Sequence, residues 1–369
     1  MQNAGRRFRF TVWVISAGSV FQGEFFMKAV VCHAPGQLDM VDRARPGALR
    51  AGEMRLAVSH IGICGTDYHI FEGKHPFLEY PRVMGHEISA HVREAAVGSG
   101  FSQGDLVIVN PYLACGKCIA CRRGKPNCCM AIRVLGVHTD GAFCEEIVVP
   151  EENVYPANGL RPEQAATVEF LAIGAHAVRR ARSATNELDG AKALVIGAGP
   201  IGLGTALFAR IAGYDVTLMD VSTERLDVAV TRFGFESAIA VNADAQKSGM
   251  AITASEGFEA VFDATGNAGS MNAALPFVAH GGVLVFVSVV KDDIVFADPE
   301  FHKREMMIIG SRNALKVDFE HVVASIASGA IDTDKLITHR TDFSSVVADL
   351  PRWAHEKTGL IKAVIQAQA

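Results

Sequence analysis

Between residues 28 and 168 the apolar positions come in short, β-branched or alternating runs. They fall at 28–32, 53–61, 88–97, 106–109 and 145–149, and Gly, Pro and Asp separate them. No long helical period interrupts them, so the pattern predicts an all-β, partly closed barrel with long loops. Around residues 172–181 the period turns helical, and after Asp189-Gly190 strands and helices alternate. A buried strand is expected at 193–196, an Ala/Leu-rich helix to about 212, and a second strand from 215 to Asp220. Further strands at 238–241, 260–263, 282–288 and 306–310 bring the total to six, the number in a complete doubly wound sheet. Near the C-terminus, 336–338 and 360–365 return to strand-like runs and are expected to fold back on the first lobe. No repeat or low-complexity tract stands out.

Composition sharpens this into two domains. A chain of 369 residues with 49% hydrophobic and 20% charged residues supports two full cores. The net charge of -5 supplies no basic field for nucleic acid or an anionic membrane. No apolar run reaches the length of a membrane span. Five of the eight cysteines fall between Cys115 and Cys129 in C-x-x-C steps, which reads as metal binding in a reducing compartment, the cytoplasm. At the N-terminus, Arg6-Arg7-Phe8-Arg9 and the run 11–20 mimic a signal peptide, but Ser16, Gly18 and Ser19 break the run. Met27 opens the first β-rich segment and reads as the natural start. Residues 1–26 are therefore expected to be a disordered extension.

The long loops hold the chemistry. Ile61-Gly-Ile-Cys-Gly-Thr-Asp-Tyr-His69 places a thiol, a hydroxyl, a carboxylate and an imidazole within six residues. Gly85-His86-Glu87 adds a histidine and a glutamate, and Cys, His and carboxylate form a mixed ligand set for catalytic zinc. In Thr167-Val-Glu-Phe-Leu171, Glu169 is an acid in an apolar run. It would need a partner such as a metal, or it would sit at a helix N-terminus. Cys115, Cys118, Cys121 and then Cys128 or Cys129 can wrap a closed, structural tetrahedral ion. Gly197-Ala-Gly199-Pro200-Ile201-Gly202 follows a strand and opens a helix, and Asp220 answers it about twenty residues later. That is the dinucleotide fingerprint. Gly197 turns, Gly199 admits the pyrophosphate, Gly202 lets helix pack on strand, and Asp220 accepts from the ribose hydroxyls, favouring NAD over NADP. Arg225 complicates that preference or lies over the adenine. Thr265, Val287 and Ser288 lie at strand ends where such sheets bind ligands.

Taken together, these motifs resemble the zinc-dependent medium-chain dehydrogenases from Met27 to the end. The polyol and sugar-acid branch, with sorbitol, threonine and L-galactonate dehydrogenases, is the most similar. Residues 77–87 (Phe-Leu-Glu-Tyr-Pro-Arg-Val-Met-Gly-His-Glu) and Gly310-Ser311-Arg312-Asn313-Ala314 carry that likeness. The resemblance implies a GroES-like β-barrel catalytic domain (27–171 and 312–369) and a Rossmann doubly wound parallel-sheet domain (172–311). It implies NAD and two zinc ions per chain. Cys64, His86 and one or both of Glu87 and Glu169 would hold the catalytic zinc; Cys115, Cys118, Cys121 and Cys129 would hold the structural one. Thr66 would pass the substrate proton to His69. Ser311, Arg312 and Asn313 would touch the cofactor. In sorbitol dehydrogenases an arginine that holds substrate hydroxyls lies near the position of Asn313, and here Arg312 precedes it. The implied reaction is oxidation of a secondary alcohol of a polyol or sugar acid, with L-threonine or a general alcohol as alternatives, in a homodimer or homotetramer. A zinc-free quinone reductase, a non-enzymatic nucleotide-binding protein and a nucleic-acid-binding zinc ribbon are rival readings. Substrate shape would depend on Tyr68, Phe71, Tyr112, Arg312 and His302.

Overall fold

A computed structural model describes residues 25–75, 78–95, 97–185, 190–356 and 358–367. Most of the expected N-terminal extension, residues 1–24, lies outside the described residues. Pairing reaches slightly ahead of Met27: the first strand is Phe26–Ala34, and Phe26 lies opposite Ala44.

The first lobe is built from short strands, as the alternation implies. Gln37–Ala44, Phe26–Ala34 and Arg82–Val83 form one small antiparallel sheet. A seven-stranded sheet runs Val154–Pro156, Leu106–Val109, Glu87–Glu94, Glu53–Ile63, Lys362–Gln366 and Ile337–Asp342, with Glu146–Pro150 also paired to Glu53–Ile63. The C-terminal strand thus returns to the first lobe, with Ala363 opposite Ile63 and Ile365 opposite Ile61. Strand Glu53–Ile63 is apolar on both faces over most of its length, because it is the centre on which three others pair.

The second lobe is a six-stranded, all-parallel sheet in the order Ser237–Ala240, Asp215–Asp220, Lys192–Ile196, Phe258–Asp263, Val278–Phe286, Met307–Gly310. The earliest strand in sequence is central, and the crossovers leave it in opposite directions, so the sheet is doubly wound. Pro200, pre-set for helical φ, occupies the first turn of helix Pro200–Ile211. Helix Thr223–Phe233 starts on Ser222, whose hydroxyl accepts from the Arg225 N–H at 3.3 Å, and ends at Gly234 in the left-handed region.

Helix Val168–Arg182 joins the lobes. It is buried over most of its surface and packs into one continuous core with Pro200–Ile211 and Lys316–Ala327. It runs through the boundary expected at residue 171, so Glu169 and His176 share one rigid element. Among the described residues no helix is long and apolar enough to cross a membrane.

Candidate active site

Two turns and a helix end bring the predicted ligands together. Cys64 ends strand Glu53–Ile63 and begins helix Gly65–Phe71; His86 and Glu87 open the neighbouring strand Glu87–Glu94. Ligand atoms of Cys64, His86 and Glu87 all lie within 4.8 Å of one another. Asp67 fixes the two turns. Its carboxylate accepts from the Cys64 N–H at 2.9 Å and from the Gly85 N–H at 3.2 Å. The buried Nδ1 of His86 has no hydrogen-bond partner and lies 3.9 Å from Asp67 Oδ1. Thr66 Oγ1 is 3.8 Å from Cys64 Sγ, and His69 is exposed in the last turn of the same helix.

Glu169 stands in the first turn of helix Val168–Arg182 and is buried, but it lies outside the Cys64–His86–Glu87 cluster. Tyr112 Oη donates to its Oε1. Burial pushes the Glu169 carboxyl up to about 7, with His86 pulling it down and Glu87 adding to the rise.

Sequence reasoning did not find Lys362. From the last strand its Nζ donates to both oxygens of Glu87, at 2.7 and 2.9 Å, and to the Ile63 carbonyl at 3.2 Å. The Phe170 ring centroid lies 4.2 Å from the same nitrogen. Lys362 is 2% exposed and Glu87 fully buried, so each needs the other. Gly62 leaves the space for this pair: a Cβ there would sit 1.9 Å from Glu87 Oε2.

The four-cysteine lobe is local. Cys115, Cys118, Cys121 and Cys129 converge within 4.8 Å, while Cys128 is exposed. Cys118 Sγ lies 3.5 Å from Cys121 Sγ and 3.9 Å from Cys129 Sγ. The N–H groups of Cys121 and Met130 bring the Cys118 thiol down to about 6, whereas burial and the Cys118 thiol push Cys121 up to about 12. Thiols this crowded cannot all ionise together without a cation among them, which is what a closed zinc site supplies.

At the carboxyl ends of the parallel strands, where such sheets bind ligands, Ile196, Asp263, Phe286 and Gly310 stand in register. Gly197, Thr265, Val287, Ser288, Ser311, Arg312 and Asn313 follow directly. Gly197 has φ +96, and a Cβ on Gly202 would lie 1.6 Å from its carbonyl oxygen. At Gly199 a Cβ would meet only Arg225 Nη1, at 3.9 Å, so the loop faces open space where a pyrophosphate could approach. Asp220 is buried. Its oxygens accept from the Ala198 N–H at 2.6 Å and the Ser222 N–H at 2.8 Å, and Arg225 Nη1 lies 3.8 Å away. Thr265 Oγ1 donates to Asp263 at 2.6 Å. Ser311 Oγ is buried with no partner in the protein. The open glycine loop and the orphaned serine fit a dinucleotide, as the thiol and Cys/His/Glu clusters fit zinc.

Comparison with known proteins agrees with this geometry. Residues 50–159 match the model of the alcohol dehydrogenase GroES-like domain, and residues 200–328 match that of the zinc-binding dehydrogenases. The chain belongs to the zinc-binding, medium-chain alcohol dehydrogenase family. It is 40% identical over 347 residues to L-galactonate-5-dehydrogenase of Escherichia coli K12, covering 92% of this chain and 98% of that one. It is 30% identical to 2-dehydro-3-deoxy-L-galactonate 5-dehydrogenase of Pseudoalteromonas atlantica, covering 87% and 94%. An E. coli alcohol dehydrogenase solved with NADH superposes with a TM-score of 0.85 at 28% identity, covering 93% of this chain and all of that one.

Proposed function

We propose that this protein is an NAD-dependent zinc dehydrogenase that oxidises a secondary alcohol of a sugar acid. One observation carries the reading: Cys64, His86 and Glu87 converge in a chain that also presents an open glycine loop. Cys64, His86 and one of Glu87 and Glu169 would hold the catalytic zinc, and the Cys115–Cys118–Cys121–Cys129 lobe the structural one. When bound, the zinc supplies Lewis acidity that lowers the alcohol pKa, and NAD supplies the hydride acceptor. The chain's own residues do the rest. Thr66 takes the hydroxyl proton and His69, exposed on the same helix, passes it to solvent. Lys362 offsets the charge of Glu87. Asp220 accepts from the ribose hydroxyls and disfavours a 2′-phosphate, which selects NAD over NADP.

An acid is favoured over a neutral polyol by the named activities of the two curated relatives, which act on L-galactonate and 2-dehydro-3-deoxy-L-galactonate. We further propose that residues 27–171 and 312–369 form the catalytic domain and 172–311 the cofactor domain. The protein would work in the cytoplasm as a homodimer or homotetramer.

A panel of aldonates, neutral polyols and L-threonine, each with NAD and NADP, tests this. The expected result is the highest kcat/KM with an aldonate and NAD. Turnover of neutral polyols or L-threonine alone would overturn the acid reading, and no turnover of any alcohol would overturn the dehydrogenase reading.

A further inference from the structure

One buried side chain ties the four-cysteine lobe to the proposed cofactor site. Asn127 lies in the turn Pro126–Cys128, two residues before Cys129, and is 3% exposed. Its Nδ2 donates to the Arg312 carbonyl at 2.9 Å and to His176 Nε2 at 3.2 Å. Its backbone carbonyl accepts from Asn313 Nδ2 at 3.2 Å. Both amide hydrogens are therefore used, and the side-chain Oδ1 is left buried without a partner. That arrangement persists only if the two donor bonds are made, since the reverse orientation would point oxygen at the Arg312 carbonyl.

The link continues on the far side. With Nε2 accepting, His176 carries its proton on Nδ1, which lies 2.8 Å from Asp318 Oδ2 and 3.0 Å from Arg179 Nη2. Asp318 also accepts from Arg179 at 2.6 and 3.0 Å and from the Leu315 N–H at 2.8 Å, at the start of helix Lys316–Ala327. His176 is seven residues beyond Glu169 on one helix, so the two share a face. Asn313 has φ +53, in the left-handed region that asparagine adopts more readily than most residues, and its side-chain amide ties this turn to the Asn127 carbonyl.

We infer that Asn127 is a positioning residue through which the four-cysteine lobe sets the backbone of residues 312–313 and so the affinity for NAD. This rests on the reading of residues 311–313 as cofactor-contacting. By reciprocity, cofactor bound at that turn must tighten the lobe.

The test uses the full chain with its zinc. Asn127→Asp is isosteric and removes both donors. It should weaken NADH binding about tenfold, read by nicotinamide fluorescence. Zinc content should stay unchanged, and kcat at saturating NAD should fall much less than kcat/KM. Asn313→Ala should weaken NADH comparably, and the double variant should show little further loss, because both cut one link. In the wild-type chain, NADH should slow hydrogen exchange at residues 125–130 as well as 310–315. Protection of 310–315 alone, or undiminished NADH affinity in N127D, overturns the inference. If N313A binds NADH normally and 310–315 gain no protection, the cofactor assignment of that turn fails instead.

Discussion

The two clusters proposed to hold metal solve one problem in opposite ways. The four cysteines lie within fifteen consecutive residues, on a lobe that is mostly half-exposed. Their order comes from turns and backbone N–H groups, and a metal is the natural core of so small a unit. The Cys64 cluster is assembled from residues 64, 86 and 87, with Lys362 paired to Glu87, on a sheet centre and a helix start, and is almost wholly buried. There the fold makes the site. Loss of metal should therefore unmake the first region and silence the second.

Cys129→Ser should have the largest effect. Zinc-finger peptides gain about 10–16 kcal/mol from a comparable site, so a large part of the lobe's stability should go. Calorimetry and metal analysis should show a strong fall in melting temperature and one zinc fewer per chain. A variant melting like wild type would end the claim that the lobe depends on metal. Cys64→Ser should instead leave the melting temperature near wild type. It should cost about 10³-fold in kcat, the several kcal/mol a Lewis acid supplies, with the lobe's zinc retained. Full turnover with one zinc per chain would contradict the contrast.

Lys362→Met probes how far the buried site depends on its fold. Removing one partner of a buried ion pair costs about 3–5 kcal/mol, and the loss should appear in urea unfolding. A loss below about 1 kcal/mol would mean that Glu87 does not rely on the lysine. The smallest effect concerns Asp318, joined to the lobe through His176. Burial alone would raise its carboxyl, but His176, Arg179 and the Leu315 N–H hold it at about 2. A depressed acid stabilises the fold fully above its unfolded pKa near 4, and that stability is lost as pH falls toward 2. Asp318→Asn should remove about 2 kcal/mol at pH 6, and its difference from wild type should vanish near pH 2. A difference that persists there would mean that packing, not charge, is at stake.

Legibility in the sequence followed distance along the chain. The four cysteines and the glycine loop could be read directly, since their chemistry lies in local spacing. The six strands of the parallel sheet followed from buried apolar runs, whereas their order, with the first strand central, is a finding of the structure. Segment 282–288 ends earlier in the structure, at Phe286, which frees Val287 and Ser288 to follow the strand end. Cys64, His86 and Glu87 could be grouped by ligand chemistry alone, and the resemblance then gave them their roles. Lys362 was out of reach: Leu-Ile-Lys-Ala-Val reads as an edge strand with an outward lysine, and only pairing with Glu53–Ile63 turns it toward Glu87. Asn127 was hidden for a similar reason, because its partners, the Arg312 carbonyl oxygen and a His176 ring nitrogen, are ones that no spacing announces.

The Lys362–Glu87 pair also sets a schedule for biosynthesis. The two residues are 275 positions apart, a stretch that takes roughly 14–55 s to translate at about 5–20 residues per second. The cysteine lobe can take up its ion early in that interval. The buried glutamate lacks this counter-charge until Lys362 emerges. A nascent chain can therefore complete its cysteine lobe while the proposed reaction centre still lacks its buried cation.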